Sequence, residues 1–318
     1  MARIVGFLLV LILFFGCEDD AKSKVDVSNI EVDFTVDRFE QKFYNTSKEN
    51  FEALKKDYAF MLSNADDSIW LNKMQNEDEL YLFKESERVF KDFSETKAKL
   101  KSLFKHIKYY NPKFKEPNII THISDLDFEY PVIYSDSLLF ISLDMYLGKD
   151  NIVYRSFPSY LSENYKKDRI MVDVAKDIIN QSYRKSKSRT FLYRMINEGK
   201  YMYLIDSYLP STSDDLKIGF SVEKLTFAEQ NEIDIWKYFI EKELLYSNNT
   251  NLNSRFIDNA PFSKFYLESD QETPGRIGVW IGWQIVRSYM KNNDVTLQQL
   301  LTEKPEEIYK KSKYKPRR

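Results

Sequence analysis

The chain has 318 residues, 43% of them hydrophobic and 15% aromatic, enough to bury one large core or two small ones. Its formal charge is −2, with 47 basic and 49 acidic side chains interleaved, so it lacks the basic stripe of a nucleic-acid binder. Cys17 is the only cysteine, which excludes an internal disulfide.

Residues 1–16 read as a signal peptide. A short basic start, Met1 to Arg3, leads into the apolar run Ile4 to Phe15. That run is too short to span a bilayer, which takes about 20 residues, and it fits the h-region of a secretory leader. Gly16 and Cys17, followed by the acidic Glu18, Asp19 and Asp20, are similar to a bacterial lipobox, although Phe14 and Phe15 depart from its usual leucine and small residue. The similarity implies cleavage before Cys17 and acylation of its thiol and new amino group. Two or more acyl chains give stable membrane anchoring. Residues 17–24 then form a lipid-anchored tether, and residues 25–318 a single domain in which 45–117 could be a helical insertion.

Val25 to Val36 alternates apolar and polar, which predicts a half-buried strand ended by Asp37 and Arg38. Ser47 is the expected cap of a helix from Lys48 to Leu62, and a short helix follows over Ile69 to Met74. Glu77 to Tyr110 is helical in period, with a break near Ser94, and Asn111-Pro112 stops it. Three strands are expected at Ile119 to Ile123, Val132 to Tyr134 and Leu138 to Leu143, the last two joined by a turn at Asp136-Ser137. Beyond Gly148 the pattern is helical, over Tyr160 to Asn164, Asp168 to Tyr183, Arg189 to Ser207, Phe227 to Leu245, Arg276 to Asn292, Thr296 to Leu301 and Pro305 to Lys310. The basic C-terminal residues read as a solvated tail. The class is α+β, mostly helical with a small β-sheet.

Three of the eight glycines, Gly275, Gly278 and Gly282, cluster with Trp280 and Trp283 in the stretch Thr273 to Met290. At helical spacing they share a face, and each interior glycine costs about 1 kcal/mol relative to alanine. Close approach of a neighbouring helix, or a ligand or partner on the glycine face, would offset that cost. Thr273 is the expected N-cap, with Pro274 in the first turn.

Candidate chemistry is sparse. The two histidines, His106 and His122, belong to no H-E-x-x-H motif, and no nucleophile elbow or phosphate loop is present. Cys17 is committed to lipid. Asp173 and Asp177 lie four apart on one helix face, and Glu198 follows on the next helix. Three carboxylates suit a hard ion such as Ca2+ or Mg2+, while a solvated acidic face balanced by Arg169, Lys176 and Lys200 is the alternative. Tyr109, Tyr110, Tyr154 and Tyr160 look exposed, as a partner surface or a lipid or glycan pocket would require.

Asp37-Arg-Phe39, Leu139 to Gly148, Asn197 to Lys200, Ile235-Trp236, Glu241 to Tyr246, Ala260-Pro-Phe262, Pro274 to Met290 and Ser312 to Pro316 together resemble the GldB family of gliding motility lipoproteins. The resemblance runs from the lipobox almost to the C-terminus. It implies an envelope lipoprotein, anchored in a membrane by its N-terminal lipid and facing the periplasm, with envelope proteins of the gliding and secretion machinery as partners. It implies no cofactor. The C-terminal pattern is also similar to predicted zincin-like zinc proteases, whose H-E-x-x-H helix would correspond to Met171 to Ile179. This chain has neither histidine there, and Val174 stands in place of the general-base glutamate. A degenerate, noncatalytic metallopeptidase body is therefore expected, with a hydrolase or metal-binding protein using a carboxylate site as the alternative.

Overall fold

The computed structural model describes residues 25–135, 137–184 and 189–317. The expected leader, Cys17, the tether and Asp136 of the expected turn lie outside the described residues.

Four short strands form one mixed sheet. They are β1 (Val36–Arg38), β2 (Asn118–His122), β3 (Val132–Ser135) and β4 (Leu138–Ser142), in the order β1-β2-β4-β3. β1, β2 and β4 run parallel, with Val36 opposite Ile119 and Ile120 opposite Phe140, and β3 closes the edge antiparallel to β4. The period-2 alternation of a strand sends neighbouring side chains to opposite faces. Ile119, Leu139 and Ile141 thus enter the main core. Ile120, Leu138 and Phe140 meet a smaller cluster of Phe39, Phe43, Phe51, Leu54, Tyr58, Leu62 and Met74 on the other face.

The expected strand over Val25 to Val36 is mostly absent. Only Val36 has strand pairing, and Asp37 and Arg38, expected to end the strand, belong to it. The Thr35 carbonyl accepts the Ile119 N–H at 2.9 Å, but among the described residues no strand pairs with those before it. Instead Lys105 and Lys108 donate to the carbonyls of Val27, Ser28 and Glu31. Amphipathic alternation alone cannot tell a strand from an extended strap laid on a helix.

Helices make up 58% of the described residues, which with the small sheet gives the α+β class. The long periodic stretch divides near Ser94 as expected, into α1 (Glu77–Val89) and α2 (Ser94–Tyr110). Asn76 caps α1 by accepting from the N–H groups of Asp78 and Glu79. The helix expected over Lys48 to Leu62 is interrupted at Tyr58, giving a 3-10 turn at Lys48–Asn50 and short helices Phe51–Asp57 and Ala59–Leu62. Ser47 makes no capping hydrogen bond there. The helix expected over Phe227 to Leu245 likewise starts earlier and divides, into Val222–Gln230 and Glu232–Glu241.

The centre of the main core is three helices: α3 (Ile170–Ser182), α4 (Phe191–Tyr208) and α5 (Ile277–Asn292). α4 and α5 form the most extensive helix pair in the molecule. A Cβ built on Gly282 would stand 1.8 Å from the Met195 carbonyl oxygen, and one on Gly199 would stand 2.1 Å from the Gly282 oxygen. The two backbones touch only because both positions lack a side chain. The glycine face of α5 is therefore filled by the chain itself, and Trp280 and Trp283 beside it are fully buried.

One end of this pair holds a buried ionic cluster. Asp206 on α4 accepts from Lys217 Nζ at 2.8 Å, Trp283 Nε1 at 2.7 Å and Arg287 Nε at 2.8 Å. Arg287 also bonds Asp214 and stacks over the Trp283 ring at 3.9 Å. The described basic C-terminal side chains are exposed, as a solvated tail would have them, but their main chain is ordered against the body. These residues begin in α6 (Pro305–Ser312), and Tyr314 donates to Glu232 at 2.7 Å while its ring packs on Trp236.

Candidate functional site

A cleft of about 850 Å3 opens beside β3, between residues 128–131 and 159–165 on one side and 218–224 and 259–276 on the other. The N-terminal half of α3 and the residue before it form its floor and bring Arg169, Asp173 and Lys176 into the lining.

Asp173 is held from three directions. Arg169, only 4% exposed, donates from Nε to Asp173 at 3.1 Å, and its Nη1 donates to the Leu216 carbonyl. The buried Tyr146 hydroxyl donates to the other carboxylate oxygen at 3.2 Å. Burial, reinforced by the Asp173 charge, pushes the Tyr146 phenol well above its ordinary range, so it stays a donor. Lys176 stands 3.9 Å away on the same helix face.

The other two candidate metal ligands are placed elsewhere. Asp177 lies one turn along α3, faces the sheet edge, and accepts the Tyr134 main-chain N–H at 2.5 Å. Burial raises its carboxyl above the usual carboxylate range. Glu198 on α4 is half-buried and outside the cleft lining, where its charge acts on Arg276 and Tyr201. Among the described residues, no group of three His, Cys, Asp or Glu side chains is disposed to hold a metal ion. Val174, between the two aspartates, is fully buried. His106 is buried with Nδ1 2.8 Å from the Ser102 carbonyl, and His122 Nε2 lies 3.2 Å from Ser142 Oγ, so both are packed into the protein.

The opposite wall is built by the segment that precedes α5. Thr273 does not cap that helix, which begins three residues after Pro274 at Ile277. Thr273 instead accepts the Ser263 N–H at 3.0 Å, and the Ser263 hydroxyl supplies the missing cap by accepting the Ile277 N–H at 3.2 Å. The cap comes from a residue distant in sequence, so local pattern could not reveal it. Gly275 is required by close approach, because a Cβ there would stand 2.0 Å from the Ala260 oxygen. Arg276 follows with φ 59° and ψ 29°, a left-handed conformation that costs a non-glycine residue about 1 kcal/mol or more.

Arg276 is half-buried, and its Nη1 donates to the Ile218 carbonyl at 2.9 Å. Burial depresses its pKa and the nearby Glu198 charge opposes that shift. Phe128, 48% exposed, and Tyr160, Phe220 and Phe262 carry aromatic surface at the lining. The cleft thus joins two fixed guanidinium groups to an aromatic wall. Such a surface can hold a ligand, and its one carboxylate on α3, Asp173, is already hydrogen-bonded. Sequence reasoning placed Arg169 only as a charge balancing the acidic face, as its pairing with Asp173 shows, and missed Arg276 and Tyr146. Arg276 lay in view, directly after a glycine at a helix start. Of the tyrosines expected at the surface, Tyr109 is exposed, Tyr110 and Tyr160 are half-buried, and Tyr154 is buried with its hydroxyl on the Asp144 carbonyl.

A family model described as gliding motility protein GldB matches residues 20–316. No curated protein and no solved structure matches the chain.

Proposed function

The chain belongs to the gliding motility protein GldB family, and from that premise we propose that it serves gliding as a noncatalytic assembly or interaction component of the cell envelope. On this proposal Cys17 carries the lipid anchor, residues 17–24 are the tether, and residues 25–318 act as one periplasm-facing domain whose zincin-like body has lost its chemistry. Its partners are envelope proteins of the gliding and secretion machinery.

The observation that supports a noncatalytic role is the state of the α3 face. Asp173 is bonded to Arg169 and Tyr146, Asp177 is bonded to the main chain of β3, and buried Val174 stands between them. A general base needs hydrogen-bond reach to the proton it removes, and a metal ligand needs its oxygens turned toward a common point. These side chains are spent on holding α3 to the sheet edge and the cleft floor.

The test is complementation of cells that lack the gene. Asp177→Asn combined with Glu198→Gln removes two of three candidate ligand charges with little change of shape. Motility should persist, with the variant folded and membrane-associated. A folded, anchored double variant that cannot glide would favour the carboxylate hydrolase or metal protein instead.

A further inference from the structure

Arg276 is costly to place where it is. It occupies a left-handed backbone position, its guanidinium is half-buried, and it makes one side-chain hydrogen bond, to the Ile218 carbonyl. Among the described residues it makes no ion pair, although Glu198 is near enough to act on it electrostatically. Arg169 also acts on Arg276, like charge on like, from the same cleft lining. Strained, incompletely compensated cations collect where a ligand supplies what is missing.

The charge balance of the cleft points the same way. Asp173 answers Arg169, and Glu163 is taken by Lys149 and Lys166. Lys224 is occupied by the carbonyls of Gln271 and Thr273. Lys176 stands 3.9 Å from Asp173, whereas Arg276 has the Ile218 carbonyl as its side-chain acceptor and sits at the N-terminal end of a 16-residue helix whose dipole also favours an anion there. The volume, about 850 Å3, is far more than a bare anion fills and lies within the range of small-molecule and peptide pockets. Phe128, Phe220 and Phe262 offer aromatic surface to the remainder of the ligand.

We propose that this cleft binds a ligand carrying a carboxylate or phosphate group on an apolar or aromatic body, with the anion on Arg276 and Arg169 and the body against Phe128, Phe220 and Phe262. The planar guanidinium fork pairs with either anion through two N–H donors. The proposal deepens the interaction role given above, and its biological meaning rests on that role, but binding is measured on the purified protein.

The probes are 2-naphthoate, 2-naphthyl phosphate and the neutral 2-naphthamide, titrated into the full lipoprotein in nanodiscs, with empty nanodiscs as the blank. At least one anion should bind saturably, and at least tenfold more tightly than the amide. The tighter of the two anions identifies the source chemistry. Arg276→Gly suits the left-handed position better than arginine, so it should fold normally and lose at least tenfold in anion affinity. Arg276→Lys should retain part of it. Equal binding of anion and amide, undiminished affinity in a folded Arg276→Gly variant, or no saturable anion binding at millimolar concentration would each overturn the proposal. Those failures leave the motility of the Asp177→Asn, Glu198→Gln strain untouched, so the two ideas fall separately.

Discussion

Replacing Gly282 by alanine tests how the α4–α5 pair is held together. The new Cβ would sit 1.8 Å from the Met195 carbonyl oxygen and 3.1 Å from the Met195 Cα. Ordinary contact begins at about 3.4 Å, so the helices must part by about 1.6 Å or slide. The obstacle is main chain on a fully buried helix, not a side chain that can rotate away. Overpacking of a well-filled core costs about 1–3 kcal/mol and sometimes more, and parting the helices also strains the bond from Trp283 to Asp206 across the pair. Alanine returns about 1 kcal/mol through its better helix propensity. Main chain meeting main chain puts the cost at the top of that range, so we expect a net loss of about 2 kcal/mol. With a urea slope of about 3 kcal/mol per M, the denaturation midpoint followed by far-UV circular dichroism should fall by about 0.7 M. Gly199→Ala should behave alike, because its Cβ meets the Gly282 carbonyl at 2.1 Å. An unchanged or higher midpoint for Gly282→Ala would mean that propensity outweighs contact, and the close-approach account of these glycines would be wrong.

Two other perturbations follow from buried charge. Asp206→Ala strips acceptors from Lys217, Trp283 and Arg287 in a site where Asp206 and Lys217 are nearly inaccessible. Leaving buried cations without their partner costs about 3–5 kcal/mol, so thermal unfolding should occur roughly 10 °C lower. A shift of only a degree or two would show that Asp214 alone can satisfy Arg287. His122 has its pKa lowered from 6.5 to about 4, chiefly by burial. The unfolded chain therefore takes up this proton at a higher pH than the folded one. Its contribution to stability is complete above about pH 6.5 and is lost as the pH falls toward 4, by at most about 3 kcal/mol. Denaturation midpoints measured from pH 7 to 4 should fall more steeply for the parent than for His122→Gln, and parallel curves would remove His122 as the cause.

How much of this was legible depended on whether the determining contact was local. Elements with strong periodicity or a near-neighbour cap were readable: α2, α3, α5, the strand LLFIS at β4, and the helix after Thr296, whose capping box with Gln299 closes within three residues. The strand expected at Val25 failed because its alternation faces a helix and not another strand. The interruption at Tyr58 was hidden because the tyrosine hydroxyl reaches back to Asp37, 21 residues earlier. The N-cap of α5 was misassigned to Thr273 because its true partner, Ser263, lies 14 residues from Ile277. At the candidate site, the pairing of Asp173 with Arg169 follows helical spacing and could have been anticipated. The role of Tyr146 could not, since only the packing of residues after β4 against α3 brings its hydroxyl to Asp173.

The glycine-rich stretch links these two scales. Its glycines at 278 and 282 face buried backbone and side chains, while Gly275 lets the chain press on Ala260 and turn Arg276 into the cleft. The helix that carries this turn cannot tilt, because Gly282 is wedged on Met195 and Arg287 is bound to Asp206 and Asp214. A site works only as well as its support is rigid. Loosening the pair at Gly282, about 9 Å of helix rise from Arg276, should therefore weaken whatever Arg276 holds even in molecules that remain folded. Mild variants such as Ile281→Val, which trims one methyl from the neighbouring buried side chain, should leave Arg276 in place. A Gly282→Ala protein that is destabilised yet keeps full anion affinity would show that the cleft and the helix pair are independent.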